Sequence, residues 1–402
     1  MWHIHGKTYD LTTFMDSHPG GAEILEKTKH QSDISSLFET YHAFANKEAI
    51  MKRLSEYELP SDVSGTLTDY TEYNELTTRI KESTALKTRQ DIKAPWWSYI
   101  QVALTGLIYM VSFLTAIFGH AGPIGSCALA LLSGICWISI GFTAMHDASH
   151  YAISMDPLVN TTLSRVWNSF GMWNHSMWFY HHVYHHHSFT NQDTDPDVYH
   201  YIPFAKKNSK GRTRFAVSSY VLLFIAFIFP GFYLGQAYIY FTKGFLKKKL
   251  FTITIPSTIV YYSAAEIALS AIKLALLVYC KWYVALSYMI AVNTTYHINI
   301  VGDHDTFETH VENKYTGQNF LRAQICNSGN FLTKNSVWTH LFGGINHQIE
   351  HHLFPSMSHK HYPTIAPIVK EYCKEKHIRY VEHHSLLDVY ISFLKMIDYY
   401  SH

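Results

Sequence analysis

The stretch HHVYHHHSFTN, residues 181–191, places five histidines within seven consecutive positions. Neither packing nor solubility requires such a density of imidazole side chains. Histidine is the commonest metal ligand in proteins, but it also serves as a proton shuttle, a pH switch and an ordinary half-buried polar residue. The remainder of the chain decides among these roles.

The composition favours a membrane protein. Of the 402 residues, 48% are hydrophobic and only 16% are charged, and the formal net charge is +1 with histidine neutral. A chain of this length and apolar content exceeds one ordinary soluble domain. The charge balance lacks the basic excess of nucleic-acid-binding proteins, so we expect no nucleic-acid partner. Five scattered cysteines without a C-x-x-C pair predict neither a disulfide framework nor a zinc site, which is typical of a cytosol-facing protein.

Long apolar runs predict transmembrane helices. Residues 99–118 and 124–145 carry no charged side chain, and each run is long enough to cross a bilayer, so together they predict a helical hairpin. A buried hairpin in a large soluble core is the alternative. Three more apolar stretches follow at residues 215–241, 251–280 and 282–300, and we expect two of them to cross. No apolar signal peptide is expected at the N-terminus, so these internal helices would direct insertion.

Polar segments flank the predicted membrane region. Residues 1–70 are mixed in charge and punctuated like a small globular domain, and residues 71–95 are expected to form a linker and an amphipathic helix. The membrane domain is expected over residues 96–360. Residues 361–402 return to a soluble composition with a helical apolar rhythm, which predicts a cytosolic helical segment.

Histidine and amide side chains recur near the apolar runs with a spacing of four residues, which places them on one face of a helix. The pairs are His146 and His150, His182 and His186, Asn293 and His297, His347 and His351, and Gln348 and His352. A single pair of this kind is more often a surface or core feature than a ligand pair. Several pairs at the edges of apolar runs favour one shared site, since metal-binding groups at membrane depth are costly and normally mark function. With an even number of crossings between them, all pairs reach the cytosolic face.

The number and chemistry of these ligands predict two iron ions. About eight imidazoles without a thiolate exceed the ligand set of one zinc ion, and imidazole suits iron well. Neutral ligands leave more positive charge on the metal than carboxylates do, which favours a strongly oxidising species derived from O2. Such a species suits attack on an unactivated C–H bond, and a long apolar substrate from the bilayer is its natural partner.

The polar N-terminal segment contains a candidate electron carrier. His18 lies in the motif HPGG, and His42 ends the motif LFETYH. Two histidines separated by a Gly-Gly turn and helical segments can hold a haem from both faces, and a haem held in this way has no open position for O2 and suits electron transfer. The motif HPGG alone would be only a turn. No C-x-x-C-H site for covalent haem is present, so b-type haem is expected.

With YDLT, HPGG and FETYH in this order, the N-terminal 70 or so residues resemble cytochrome b5. Residues from about 96 to 360 resemble the membrane fatty acyl desaturases with three histidine boxes. The fusion of the two, with QIEHH as the third box, is similar to the front-end desaturases, which insert a double bond between an existing one and the carboxyl end. The resemblance implies a small α+β haem domain fused to an all-α integral membrane domain with about four transmembrane helices and a cytosolic helical cap.

The resemblance also implies the ligands. The axial haem ligands would be His18 and His42. The implied metal ligands are His146 and His150 in the first box, His182, His186 and His187 in the second, Gln348, His351 and His352 in the third, and His297 outside the boxes, with Asn293 holding a water. The additional histidines His181, His185 and His347 leave the register of the second and third boxes open.

The implied activity is the oxidation of a fatty acyl chain to an alkene with O2 and two electrons. Its cofactors would be haem b and two iron ions, its electron donor a b5 reductase, and its substrate an acyl chain linked to coenzyme A or to a phospholipid. The implied location is the endoplasmic reticulum membrane, crossed several times, with the haem and catalytic domains on the cytosolic face. The alternatives are a sphingoid long-chain-base desaturase, a fatty acyl hydroxylase, and a membrane-tethered b5 electron carrier without catalytic activity.

Overall fold

The computed structural model describes residues 1–60, 67–199 and 263–401, together with residues 207, 238, 242, 246–247, 249–250 and 253–254. The predicted apolar stretch at residues 215–241 therefore lies almost entirely outside the described residues, as does the first half of the stretch at residues 251–280. Two short strands in this region, β4 (Lys249–Leu250) and β5 (Ile253–Thr254), pair antiparallel.

The N-terminal unit combines a small sheet with three helices, as expected for an α+β domain. The antiparallel sheet has the order β1 (Trp2–Ile4), β2 (Lys7–Tyr9) and β3 (Glu58–Leu59), and the helices are α1 (Ala22–Thr28), α2 (Ser35–His42) and α3 (Lys47–Ser55). His5 and Gly6 join the first two strands with φ angles of 50° and 72°, the left-handed conformation that a two-residue hairpin turn requires. Asn46 caps α3 by accepting a hydrogen bond from the Ala49 amide.

A second unit begins with the helix α4 (Thr71–Ser83) and an apolar hairpin. The helix α5 (Trp96–Phe118) is followed by α6, which runs over Gly122–Ser149 and contains a π-helical segment at Gly141–His146. Both are long and apolar enough to cross a membrane, and α5 exposes large side chains such as Leu104, Leu107 and Val111 along its length. An exposed apolar surface of this extent is what a lipid-facing helix presents.

A second hairpin packs against the first. Its helices are α9 (Ala264–Tyr279) and α10 (Trp282–His304), with α10 lying along α6. Lys273 of α9 is fully buried and donates hydrogen bonds to the hydroxyls of Tyr109 (2.6 Å) and Tyr288 (2.7 Å), which ties α9 to α5 and α10. Within the described ranges only α5 and α6 meet the length and apolarity of a membrane span, so the expected four crossings stay a prediction.

Short helices complete the polar side of this unit. They are α7 (Pro157–Phe170), α8 (His175–Trp178, continued through the π-helical segment Phe179–His186 to His187–Phe189), α11 (Phe320–Cys326), α12 (Ser336–Leu341), α13 (Gln348–Leu353), α14 (Tyr362–Glu375) and α15 (Leu386–Ser401). The strands β6 (Asn330–Phe331) and β7 (Glu382–His383) pair in parallel. The second unit is therefore mostly helical, and the predicted helical rhythm near the C-terminus corresponds to α15.

The N-terminal unit is docked on the histidine-rich segment of the second unit. Its core, with Leu25 and Phe38, is continuous with Met177 and Phe179. The hydroxyl of Tyr180 donates a hydrogen bond to the Lys27 carbonyl, and that of Tyr184 donates one to the Asp33 carbonyl. Each of these bonds is 2.9 Å long. The two units thus share one hydrophobic core and are not joined only by a linker.

The close approach of α6 and α10 generates a stability prediction. A Cβ atom at Gly134 would lie 2.6 Å from the Ala291 Cβ and 2.8 Å from the Tyr288 carbonyl oxygen, so Gly134→Ala must push the helices apart. We expect a destabilisation of about 1–3 kcal/mol, measured as a lower thermal midpoint in detergent. The control Gly106→Ala adds a methyl group to open space on α5 and should stabilise its helix by about 1 kcal/mol. Equal midpoints for both variants would contradict the packing described.

Candidate haem cavity and histidine clusters

A cavity of about 440 Å³ lies in the N-terminal unit beside the HPGG turn. Apolar side chains from all three helices line it, including Leu25, Phe38 and Leu54. His18 and His42 face each other there, with ring centroids 6.3 Å apart. The ring centroids of two imidazoles bound to opposite faces of one iron ion lie roughly 6 Å apart, because each metal–nitrogen bond is about 2 Å long and each nitrogen lies about 1 Å from its ring centroid. The predicted haem ligands therefore have the spacing that a haem requires.

The orientation of both rings suits the same purpose. The His42 Nδ1 donates a hydrogen bond to the Phe38 carbonyl over 2.7 Å, and the His18 Nδ1 lies 3.2 Å from the Gly21 carbonyl. These contacts leave each Nε2 for the cavity. Burial lowers the pKa of His42 to about 4, so its ring is neutral at pH 7 and can donate a lone pair. Gly20 is needed here, because a Cβ would lie 2.8 Å from the His18 ring.

Cations at the edge of the cavity were missed by reasoning from the sequence. Arg53 of α3 lines the cavity together with Arg89 and Lys93, which come from the segment predicted as linker. The planar guanidinium groups suit the carboxylates of a haem. Arg89 lies in an ordinary polar stretch, so nothing in the sequence marks it. The second unit also contributes Tyr151 and Ser356 to the lining, so the cavity is completed by both units.

A first cluster of buried imidazoles gathers at the polar end of α6. Its members are His146, His150, His182 and His351, whose ligand atoms all lie within 4.8 Å of one another. The Nε2 atoms of His146 and His182 are 3.0 Å apart. Nitrogen atoms that bind one ion at about 2.1 Å are separated by roughly this distance. The cluster thus brings the first, second and third predicted boxes together.

A second cluster lies beside the first. It consists of His186, His304 and His352, and a further group of His182, His186 and Asp197 overlaps both clusters. His187 lies between the two clusters, with its ring centroid 4.5 Å from that of His150 and 4.3 Å from that of His352. Neither nitrogen of His187 has a hydrogen-bond partner among the described residues. The arrangement therefore offers two adjacent positions for a cation.

Neighbouring side chains and carbonyls hold these rings by the Nδ1 atom. The Nδ1 of His304 donates to the Asn327 carbonyl over 2.8 Å. Further bonds of this kind join His351 to the Tyr362 hydroxyl (3.1 Å), His352 to the Gln324 amide oxygen (2.9 Å) and His186 to the Asp195 carboxylate (3.1 Å). A metal-binding histidine normally has its second nitrogen fixed in this way.

The opposite nitrogens face a common space. The Nε2 atoms of His150, His351 and His352 are buried and have no hydrogen-bond partner in the part of the chain that the structure describes. Burial lowers the pKa of these three side chains well below its ordinary value, so their rings are neutral. Unpaired buried polar atoms are rare and need an explanation. A set of neutral imidazole lone pairs fits iron ions.

The local backbone differs from the α-helix that the spacing of four residues predicts. The first box lies at the end of the π-helical segment Gly141–His146, and the second lies on the π-helical segment Phe179–His186. A π-helical turn is wider than an α-helical turn and is frequent at functional sites. The adjacent residues His186 and His187 both reach the clusters on this widened backbone.

The helix α10 contributes a different histidine from the one that the resemblance implied. His297 stacks on Tyr390 with ring centroids 6.1 Å apart and belongs to none of the clusters formed by the described residues. Asn293 lines the apolar cavity described below. His304, seven residues further along α10, reaches the second cluster instead. The predicted apolar run ends at Ile300, and the motif GDHD that contains His304 lies just beyond it. His304 follows His297 by seven residues, which is about two helical turns, so the two histidines lie on the same face of α10. This spacing is the sequence signal that could have indicated His304.

The remaining histidines of the boxes have other partners. The His181 Nε2 lies 2.6 Å from an Asp197 carboxylate oxygen, and His185 is half-buried against Phe189. His347 lies 3.6 Å from the Glu350 carboxylate and belongs to none of the clusters formed by described residues. Gln348 places its amide nitrogen 2.9 Å from the Nε2 of His304. The register gathered at the site is thus His182, His186 and His187.

An apolar cavity adjoins the first cluster. It has a volume of about 50 Å³, and His146 is one of its lining residues. Its lining comes from α6, α7, α8 and α10 and includes Trp137, Phe142, Trp167 and Asn293. Most of the lining side chains are aromatic or aliphatic, which suits a hydrocarbon group rather than a polar metabolite.

Two family models match the chain. Residues 122–384 match the model described as fatty acid desaturase, and residues 1–61 match the model described as cytochrome b5-like haem/steroid binding domain. The two matches follow one another in the chain and together cover most of the sequence. They confirm the resemblance predicted from the histidine boxes and the HPGG motif.

Curated relatives are similar over nearly the whole chain. The acyl-lipid (8-3)-desaturase of Mortierella alpina is 25% identical, over 98% of this chain and 92% of the relative. The Delta(5) fatty acid desaturase A of Dictyostelium discoideum is 26% identical, and the match covers 94% of this chain and 85% of the relative. The Delta(8)-fatty-acid desaturase 2 of Arabidopsis thaliana is 23% identical, and the match covers 94% of this chain and 84% of the relative.

The opposed rings in the N-terminal unit generate a spectroscopic prediction. His18→Ala in the full-length chain should abolish the Soret band of bound haem, because one axial nitrogen is lost. The control His30→Asn changes an exposed histidine of the same unit, and asparagine tolerates its positive φ of 67°. The control should keep the band. An unchanged Soret band in His18→Ala would contradict the assignment.

A second prediction separates the two histidines of α10. His304→Ala should lower the iron content of the purified chain about 10-fold or more, since it removes an imidazole from the second cluster. His297→Ala is the matched control and should keep the iron content of the parent chain, because its ring packs on Tyr390. Elemental analysis of the iron content of both variants tests which of the two histidines binds iron. Iron loss in His297→Ala alone would restore the ligand that the resemblance implied.

Proposed function

The chain belongs to the fatty acid desaturase family, and from this membership we propose that it is a front-end desaturase acting on a lipid-linked fatty acyl chain. The observation that carries the proposal is the pair of histidine clusters, the first of which contributes His146 to the lining of a mostly apolar cavity. A hydrocarbon lying in that cavity would present its methylene groups beside His146. The similarity to the acyl-lipid (8-3)-desaturase supports both the acyl-lipid substrate and the position toward the carboxyl end.

The proposed ligand set follows the two clusters. One iron ion is assigned to His146, His150, His182 and His351, and the second to His186, His304 and His352, with His187 between them and Gln348 beside His304. Two iron ions bound there would supply the activation of O2. The roles of His297 and Asn293 stay predictions, which the iron analysis above tests.

The side chains of the chain itself have three tasks in this proposal. The Nδ1 contacts of His186, His304 and His351 orient the imidazoles. The aromatic walls at Trp137 and Trp167 hold the acyl chain and exclude water. In the balanced reaction, one CH2–CH2 unit, O2, two electrons and two protons give one CH=CH unit and two waters.

Electrons are proposed to reach this site through a haem held by His18 and His42. The docked N-terminal unit supports this route, because it contacts the segment that carries the second box. A b5 reductase is the proposed external donor. The proposed domains are residues 1–70 for haem, 71–95 as the connection, 96–360 for desaturation and 361–402 as the C-terminal helical segment.

The proposed location is the endoplasmic reticulum membrane with both redox sites on the cytosolic face. The apolar helices α5 and α6 support membrane insertion, and the family is membrane-associated. About four crossings would place the first and last histidine boxes on the same face.

The test is expression in yeast supplied with defined polyunsaturated fatty acids. We expect a new product with one additional double bond on the carboxyl side of an existing one, located by mass spectrometry of derivatised lipids. The variant His150→Ala should form no product while it keeps the Soret band, because one cluster is lost and the haem cavity is intact. A hydroxylated acyl chain, or a new double bond only in sphingoid bases, would replace the proposal by one of its alternatives.

A further inference from the structure

The side chain of Tyr41 connects the haem cavity to the first histidine cluster. Tyr41 directly precedes His42 on α2 and lines the haem cavity. Its hydroxyl lies 3.2 Å from the Nδ1 of His150. We propose that Tyr41 is a positioning residue through which the haem-binding unit completes the metal centre and makes electronic contact with it. The inference rests on the function proposed above.

The contact between Tyr41 and His150 joins two different units of the chain. Among the cluster residues with a fixed Nδ1, His186, His304 and His351 are held by partners from the second unit. His150 is held by a residue of the N-terminal unit. Its Nδ1–H donates to the Tyr41 oxygen, which leaves the buried Nε2 as the atom that faces the cluster. Correct placement of this imidazole therefore depends on docking of the haem-binding unit.

The surroundings of the contact keep it in place. The rings of Tyr41 and Tyr151 pack edge to face with centroids 6.3 Å apart. The buried Lys93 donates hydrogen bonds to the carbonyls of Tyr151 (2.7 Å) and Ser356 (2.9 Å), which fixes the chain next to His150. The hydroxyl of Tyr41 thus meets a rigid partner rather than a mobile loop.

The same contact forms a short path between the two redox sites. From His42 the path follows one peptide unit to Tyr41, passes along its side chain, and crosses one hydrogen bond to His150. If haem and iron are bound at the two sites, one electron lost by a reduced haem would be gained by one ferric ion held by the clusters, and no other reactant would be needed. Tyr41 would be neither oxidised nor reduced, and it would keep its proton.

The test uses Tyr41→Phe in the full-length holoprotein, which removes only the hydroxyl. The first measurement is the rate at which the dithionite-reduced protein releases ferrous iron to the chelator bathophenanthroline, expected to rise about 10-fold. The second supplies one electron per chain from NADH and b5 reductase under argon and follows the haem absorbance. The decay of the reduced haem, as the electron passes to the ferric centre, is expected to slow about 10-fold with an unchanged Soret band.

Tyr184→Phe is the matched control. It also removes one tyrosine hydroxyl that bonds across the two units, in this case to the Asp33 carbonyl, but it lies on no path between the redox sites. Both rates should stay within about 2-fold of the parent, as expected for one lost neutral hydrogen bond. Unchanged rates in Tyr41→Phe, equal changes in both variants, or a parent haem that stays reduced would overturn the inference. A parent that keeps its iron but forms no alkene in yeast would contradict the proposed function and leave the iron-release comparison valid.

Discussion

The second nitrogen of each buried histidine is the constraint on which the site depends. An imidazole offers one lone pair in its neutral form, and the hydrogen on the other nitrogen decides which atom carries it. In this chain the hydrogen of His304, His351 and His352 is engaged by Asn327, Tyr362 and Gln324. These partners lie on or beside α11 and α14, well away in sequence from most of the boxes. The short helices of the polar side are therefore needed to aim the boxes, and not only to cover them.

Charge is arranged around the clusters rather than within them. Seven imidazoles form the two clusters and His187 lies between them, whereas most of the nearby carboxylates contact these imidazoles from outside. Asp195 accepts from His186 at 3.1 Å, and Asp147 accepts from the buried His359 at 2.7 Å. Neutral ligands leave the positive charge of a bound cation on the metal, while the outer carboxylates lower the cost of burying it. Asp197, 2.6 Å from His181, is the carboxylate nearest to direct contact with the site.

The sequence predicts the helices and the residues that share one helix face better than it predicts which side chains come into contact in the folded chain. Both apolar helices of the first hairpin and the opposed His18 and His42 are found as expected, because hydropathy and turn motifs are local signals. The choice between His297 and His304 is not local. Both lie on α10, and packing of α10 against α15 at Tyr390 and against α13 at Gln348 decides which ring reaches the clusters. Arg89 has no sequence signal at all, since its place at the haem cavity results from docking of the two units.

Polar contacts of Glu23 help to specify the docking next to the apolar interface. Glu23 of α1 contacts Lys27 at 2.6 Å, Arg165 of α7 at 2.8 Å and His175 of α8 at 3.1 Å. Burial lowers the pKa of Lys27 to about 8, so its charge depends on the Glu23 carboxylate that faces it. A misdocked unit would keep the Lys27 pair, which lies within α1, but would lose the contacts of Glu23 with Arg165 and His175. These two contacts cross the interface, so they discriminate one orientation of the haem-binding unit from others. That discrimination allows a single hydroxyl on α2 to serve a histidine on the far side of the interface, since a contact of one hydrogen bond tolerates almost no displacement.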